Sequence, residues 1–374
     1  MYINTLNGIT GYNGAGLPNK TLSLTFDDGP GKSVGSFLGP QTVKIAKYLF
    51  EENIRATFFV IGKHVLKYPE AIKKIKRYGH LVANHSFDHP SLPSMVSNPS
   101  ALVDEILKTD NLIIGWIDGG TTYLRPPYGS WDNNVTDILN RDLLASLNHL
   151  GPIMWDIDSA DWNTWENNLD LLTLVDDYYQ LISDLSRNNG KQNGIVLMHD
   201  SSGDSELAKS RNRCLEVVKR LIPKLKLDGY SFVRIDEIND VIAAATLPLR
   251  FALKGANNLF VSPQNGGGGI ILVNGPSIGG WEPLIAFNLG GGKIAIQCSN
   301  GKFVSPQNGG GGNVLADGPS IGGWEPLEVI RVYDGHVAFR TINGHYLTLD
   351  NSTGKLMANV TWVNNSEIFE FNPM

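Results

Sequence analysis

Cysteine is scarce in this chain, with two in 374 residues. Cys214 and Cys298 form no metal-spaced pair, and the domain division argued below puts them apart, so both are read as unpaired core thiols. No run of about 18 or more apolar residues occurs, so no transmembrane helix is expected. An excess of positive charge is also missing. The net charge is -6, with a pI near 5.8, and neither nucleic acid nor an anionic membrane is expected as partner. The first twenty residues are polar and Gly-rich and lack the charged-then-apolar pattern of a secretory leader. The protein is therefore expected inside the cell, or secreted or cell-wall associated if a leader has been removed. Six Asn-x-Ser/Thr sequons are compatible with secretion but weigh little in an Asn-rich chain.

At 42% hydrophobic residues the chain can build well-formed cores, and its length suits two domains. From Leu22 to about Ala245, short apolar runs alternate with longer helical stretches. The runs are Leu22–Phe26, Thr57–Ile61, Leu81–Ala83, Tyr123–Leu124, Ile153–Ile157, Ile195–Met198 and Phe232–Ile235. Gln41–Glu52, Pro69–Tyr78, Ala101–Trp116 and Leu171–Arg187 carry apolar residues at helical spacing, and Gly79 stands where a helix should stop. This alternation predicts a parallel α/β fold.

Five polar clusters each follow one of these runs: Thr25-Phe26-Asp27-Asp28-Gly29-Pro30, His85-Ser86-Phe87-Asp88-His89, Arg125-Pro126-Pro127-Tyr128-Gly129, Asp158-Ser159-Ala160-Asp161-Trp162 and Leu197-Met198-His199-Asp200. A barrel would bring all five to one mouth, whereas an open sheet gathers its site mainly at one switch point, so the barrel is preferred.

Beyond about Leu247 helical patterns vanish and a strict repeat takes over. Phe260-Val261-Ser262-Pro263-Gln264-Asn265 recurs 43 residues later from Phe303, and Gly279-Gly280-Trp281-Glu282-Pro283-Leu284 recurs at the same offset from Gly322. A diverged third copy keeps the register at His345-Tyr346-Leu347. Three all-β copies predict a β-trefoil rather than a propeller, which needs at least about four blades. Domains are thus expected at 1–246 and 247–374. Phe260, Phe303 and Tyr346 are expected to fill the threefold core, and Trp281 and Trp324 either join them or stack on sugars. The third copy lacks the Gly-rich loop and the Gly-Gly-Trp-Glu-Pro segment, so any glycan sites should number two.

Asp28 with His85 and His89 makes a three-ligand set that leaves coordination positions open, as a catalytic metal requires. Zinc suits nitrogen and oxygen ligands best, with cobalt, nickel or manganese as alternatives. Asp27, next to Asp28 but pointing elsewhere, is free to act as general base. Its competing reading is plain turn chemistry. Arg125, stiffened by two prolines, can fork onto Asp27, and the Tyr128 N–H is a candidate oxyanion donor. His199 can protonate a leaving group if Asp161 sets its tautomer, with Trp162 as an apolar wall against a sugar. Asp200 reads as structural. His64, His80, His149, His336 and His345 fall outside the clusters.

The five clusters, in order over about residues 20–245, resemble the motifs of the polysaccharide deacetylases, the NodB-homology domain of carbohydrate esterase family 4. The C-terminal repeat resembles fascin-like and ricin-like trefoils. The resemblance implies a distorted (β/α)7 barrel with Asp27 as base and Asp28, His85 and His89 as metal ligands. It further implies Arg125 holding the base, Tyr128 helping to bind the oxyanion, His199 as acid steered by Asp161, and Trp162 and Leu197 lining an acetyl pocket. The implied reaction is metal-dependent removal of N-acetyl groups from a β-1,4-linked N-acetylglucosamine polymer by a monomer that spans no membrane. The wording Val82-Ala83-Asn84-His85-Ser86-Phe87-Asp88-His89-Pro90 leans toward chitin over peptidoglycan. An acetylxylan esterase of the same fold and a lectin with a vestigial barrel are the rival readings.

Overall fold

A computed structural model describes residues 11–32, 38–117, 120–186, 190–245 and 248–374. Two compact units result. The first runs up to Val135 and resumes over Leu150–Thr246. Its strands are β1 (Thr21–Gly29), β2 (Thr57–Val60), β3 (Leu81–Asn84), β4 (Thr122–Tyr123), β5 (His149–Leu150, of which only Leu150 falls in this unit), β6 (Ile157–Asp158), β7 (Gly194–His199) and β8 (Ser231–Phe232). The parallel order is β3-β2-β1-β7-β6, with β8 on β1, and a bridge from Asn84 to Leu124 extends the parallel run toward β4. This is the distorted barrel. β1 is buried throughout. Leu22, Leu24 and Phe26 enter the core beneath the helices, while Thr25 and Asp27 alternate to the opposite face.

The helices form where apolar spacing and end signals agree. Thr42–Glu51 buries Ile45, Ala46 and Leu49 on one face. Pro69–Arg77 starts with proline, has Glu70 in its first turn and basic residues in its last, and buries Ala71, Ile72 and Ile75. Gly79, at φ +80°, follows its end. Asp170 caps Leu171–Asp184 by accepting the Thr173 N–H at 2.8 Å.

The second unit gathers Leu247–Met374 and, unexpectedly, Thr136–His149. Its strands are β9 (Leu249–Lys254), β10 (Phe260–Pro263), β11 (Ile271–Gly275), β12 (Leu284–Gly290), β13 (Lys293–Gln297), β14 (Phe303–Pro306), β15 (Gly312–Gly318), β16 (Leu327–Tyr333), β17 (His336–Arg340), β18 (Tyr346–Leu349), β19 (Leu356–Val360) and β20 (Phe369–Pro373). β9, β12, β13, β16, β17 and β20 pair in a closed ring, and the hairpins β10–β11, β14–β15 and β18–β19 stand beside it. That is a β-trefoil.

The core-filling residues differ from the expected ones. Val261, Val304 and Leu347 occupy the core, one residue beyond Phe260, Phe303 and Tyr346, which lie outside that cluster. Strand alternation sends each aromatic to the other face. Trp281 and Trp324 are each 43% exposed, so neither is a core residue. A threefold polar device is also built in. Ser262, Ser305 and Thr348 hydroxyls donate to the carboxylates of Glu282, Glu325 and Glu367. The second oxygen of each carboxylate accepts a backbone N–H, from Gly279, Gly322 and Asn364 at 2.8, 2.7 and 2.7 Å. The diverged third copy therefore keeps its glutamate although its tryptophan and glycines are gone.

Thr136–His149 was expected to belong with the barrel. Its helix Leu143–Asn148 instead puts Leu143, fully buried, into the trefoil core cluster. Asp142 caps that helix by accepting the Ala145 N–H at 3.0 Å, and its other oxygen accepts from Arg331 Nε at 2.7 Å. Cys214 and Cys298 are both free and buried. Among the described residues no helix is long and apolar enough to cross a membrane.

Candidate active site

The C-terminal ends of the parallel strands converge on a cavity of about 490 Å³. Asp27, Asp28, His85, His89, Tyr128, Trp162, Leu197 and His199 line it. Strict strand alternation would send the adjacent aspartates to opposite faces. A register shift between Asp27 and Gly29 breaks it, and Asp28, at φ +73°, turns back into the same cavity. His85 Nε2 consequently lies 3.6 Å from Asp27 Oδ2 and 3.5 Å from Asp28 Oδ1. Among the described residues, apart from Lys20 and asparagines, the non-glycine residues with positive φ are Asp28, Ser86, His89, Tyr128 and Ala160, all inside the clusters. Such backbone costs about 1–3 kcal/mol per residue and collects where geometry is imposed for function.

Asp28, His85 and His89 each offer a ligand atom, all within 4.8 Å of one another. His85 Nδ1 donates to the Arg125 carbonyl at 2.8 Å, and His89 Nδ1 donates to Asp204 at 3.0 Å. Both Nε2 lone pairs then face inward, toward an Asp28 Oδ1 that is buried without a hydrogen-bond donor. With both imidazoles neutral, three acceptors converge there, a donor set suited to a divalent cation. The electrostatics agree. Burial pushes the His89 imidazole down, but Asp28 on one side and Asp204 on the other raise it to about 9. The pocket draws positive charge, whether proton or metal ion.

Arg125 is wholly buried. Its Nη1 donates to Asp27 Oδ1 at 2.8 Å and to Thr25 Oγ1 at 2.7 Å. Nε and Nη2 reach the Ile153 and Met154 carbonyls at 3.0 and 3.1 Å, and the guanidinium lies 4.1 Å from the centre of the Phe59 ring. Across the cavity, Asp161 accepts from His199 twice, from Nδ1 at 2.6 Å and from the backbone N–H at 2.8 Å. Burial lowers the His199 imidazole, but Asp161, then Asp28 and Asp27, raise it to about 10. His64, which belongs to no cluster, donates Nδ1–H to the Asp28 carbonyl at 2.6 Å and steadies that backbone. Asp200 is buried among structural partners, accepting from Thr42.

The site thus brings together every residue expected from the sequence, with Arg125 and Asp161 behind the cavity wall. Asp158, named in its cluster but given no role, also lines it, as do Trp155, Glu166 and Asp204, which were missed. Trp155 precedes its cluster, Glu166 lies one turn into the helix Asp161–Asn167, and Asp204 sits in an undistinguished Ser-Gly-Asp-Ser stretch. Only the folded chain brings them in.

A polysaccharide deacetylase family model matches residues 14–144, and a fascin domain model matches residues 284–371. The chain is 31% identical over 222 residues to a chitooligosaccharide deacetylase of Rhizobium leguminosarum bv. trifolii, covering 58% of this chain and 91% of that protein. It is 31% identical over 220 residues to the peptidoglycan-N-acetylglucosamine deacetylase PgdA of Listeria monocytogenes. That match covers 59% of this chain but only 39% of the Listeria protein. A solved peptidoglycan N-acetylglucosamine deacetylase aligns with a TM-score of 0.47 at 24% identity, covering 61% of this chain and 91% of that one. The chain belongs to the polysaccharide deacetylase family.

Proposed function

We propose that this chain hydrolyses the N-acetyl groups of β-1,4-linked N-acetylglucosamine polymers of the chitin type, releasing acetate and leaving free amines. The observation that carries the reading is one cavity served by three devices: a carboxylate held by a buried arginine, a three-acceptor cation pocket, and an imidazole held by a buried aspartate.

Asp28, His85 and His89 would hold a divalent ion, most suitably zinc. Such an ion supplies Lewis acidity to a bound carbonyl oxygen and lowers the pKa of water. Asp27, fixed by Arg125 with its second oxygen toward the cavity, takes the proton of the attacking water. The amide C–N bond breaks as His199, its Nδ1 occupied by Asp161, gives a proton from Nε2 to the departing nitrogen. The Tyr128 N–H offers a donor to the developing oxyanion, and Trp162 and Leu197 give the acetyl methyl an apolar wall.

Charge favours a chitin-like glycan over peptidoglycan. No lysine or arginine appears among the described lining residues, whereas Asp158, Glu166 and Asp204 add three carboxylates beyond the reacting set. Stem-peptide carboxylates would meet like charge there. We also propose that the trefoil holds the polymer through Trp281 and Trp324, the half-exposed aromatics of its two complete copies.

Mass spectrometry of products from chitin oligomers, peptidoglycan and acetylxylan, with and without added metal, tests the reading. Metal-dependent loss of acetyl from the chitin oligomers is expected. Release from acetylxylan alone would replace it with an esterase.

A further inference from the structure

Asp204 belongs to none of the five clusters, yet it touches two of them at once. Its carboxylate accepts from His89 Nδ1 at 3.0 Å and from the Tyr128 hydroxyl at 2.7 Å. The neighbouring Gly203 N–H donates to Asp28 Oδ2 at 2.9 Å. One short loop therefore grips two of the three cation-pocket residues, one through its backbone and one through a side chain. The approach is so close that a Cβ on Gly203 would stand 2.6 Å from His89 Nδ1, which only glycine avoids. The loop is itself anchored. Ser205 caps the helix Glu206–Arg211 by accepting the Ala208 N–H at 3.0 Å, and its hydroxyl donates to Glu166.

We propose that Asp204 is a positioning residue that fixes the tautomer and ring orientation of His89 and ties that ring to Tyr128. The inference rests on the metal reading of Asp28, His85 and His89. A neutral imidazole has one N–H, and the Asp204 carboxylate claims it at Nδ1. The Nε2 lone pair is thereby turned toward Asp28 Oδ1, 3.2 Å away. Without Asp204 the ring can tautomerise or rotate, and the pocket loses a fixed ligand. The same carboxylate sets the Tyr128 side chain, whose hydroxyl also reaches the His89 carbonyl at 3.2 Å and whose ring centre lies 4.7 Å from that of His89. Tyr128 holds a left-handed backbone at φ +60°, so it is restrained from its hydroxyl end as well as by its prolines. A cation ligand and a substrate-facing aromatic thus share one carboxylate.

Carboxylates behind metal-bound histidines typically change metal affinity about 10–100-fold when removed. Metal-free full-length wild type, Asp204→Ala, Asp204→Asn and Tyr128→Phe are titrated with Zn²⁺ against a competing chelator, and the Co²⁺ forms are compared by visible absorption. Asp204→Ala is expected to bind Zn²⁺ about 10–100-fold more weakly with an altered Co²⁺ spectrum, and its metal-free melting temperature should match wild type. Asp204→Asn, which keeps an acceptor without the charge, should fall between. Tyr128→Phe should leave zinc affinity within about twofold while raising KM for chitin oligomers more than it lowers kcat. Wild-type zinc affinity and an unchanged Co²⁺ spectrum in Asp204→Ala overturn the proposal. A wild type that binds no Zn²⁺ overturns the metal reading beneath it as well.

Discussion

Arg125 Nη1 stands 2.8 Å from Asp27 Oδ1, and neither side chain is open to water. The arginine answers the aspartate with one N–H and gives three more to Thr25 and two backbone carbonyls. Its position is therefore set by the barrel, and it in turn sets that of the Asp27 carboxylate.

Asp27→Asn keeps the shape and the arginine contact but removes the proton acceptor. It is expected to lower kcat about 10²–10⁴-fold with zinc content unchanged. Steady-state kinetics with elemental analysis checks this, and full activity in the variant would remove Asp27 from the role of base.

Chelation should abolish acetate release from chitin oligomers, and Zn²⁺ or Co²⁺ should restore it. His85→Ala is expected to lose the metal itself, because two acceptors hold a divalent ion far less well than three. Activity persisting in protein shown to be metal-free would sink the mechanism.

His80 gives a pH dependence remote from the site. Burial pushes its imidazole down to about 4. Nδ1 accepts the Ala56 N–H at 3.1 Å, and Nε2–H donates to the Ala46 carbonyl at 2.7 Å. The folded state favours the neutral ring, so the contribution is complete above the unfolded pKa of about 6.5 and is lost as pH falls toward 4. It amounts to about 3 kcal/mol. NMR titration of the ring should give a midpoint near 4, and denaturant midpoints should drop over that interval. A midpoint near 6.5 would contradict the burial argument.

Leu143→Ala should destabilise the trefoil by about 2–5 kcal/mol, as a large-to-small change in a packed core does. Urea unfolding followed by tryptophan fluorescence reads this directly. An unchanged midpoint would mean that the helix Leu143–Asn148 adds nothing to that core.

Trp281→Ala with Trp324→Ala should weaken retention on insoluble chitin while leaving turnover of short soluble oligomers unchanged. Equal retention by wild type and the double variant would mean that the trefoil holds something else, or holds chitin by another face.

Asp28, His85 and His89 were legible because an i, i+4 histidine pair and an Asp-Asp turn follow separate strands, and the chemistry of those residue types allows few alternatives. The barrel strands were legible because short apolar runs, buried along their length, alternate with helical stretches. Asp204 was not, since its partners are supplied by two other loops and nothing in a Ser-Gly-Asp-Ser stretch announces them. The turning back of Asp28 depends on a single left-handed residue that alternation cannot foresee. In the trefoil the 43-residue period revealed the fold but not the inward face. Phe260 and Val261 are both plausible core residues, and only the sheet decides. Glu367 was hidden because the third copy reaches its hydroxyl partner across 19 residues where the others use 20.

The route of Thr136–His149 changes what counts as a module here. A break between Ala245 and Pro248 looks like a clean seam on paper, yet the C-terminal part would leave behind Leu143, Asp142 and the helix they begin. The stretch that completes the trefoil is separated from the rest of it by about a hundred residues of barrel sequence, so neither unit is one continuous block of the chain. During synthesis the helix emerges long before the strands that cover it.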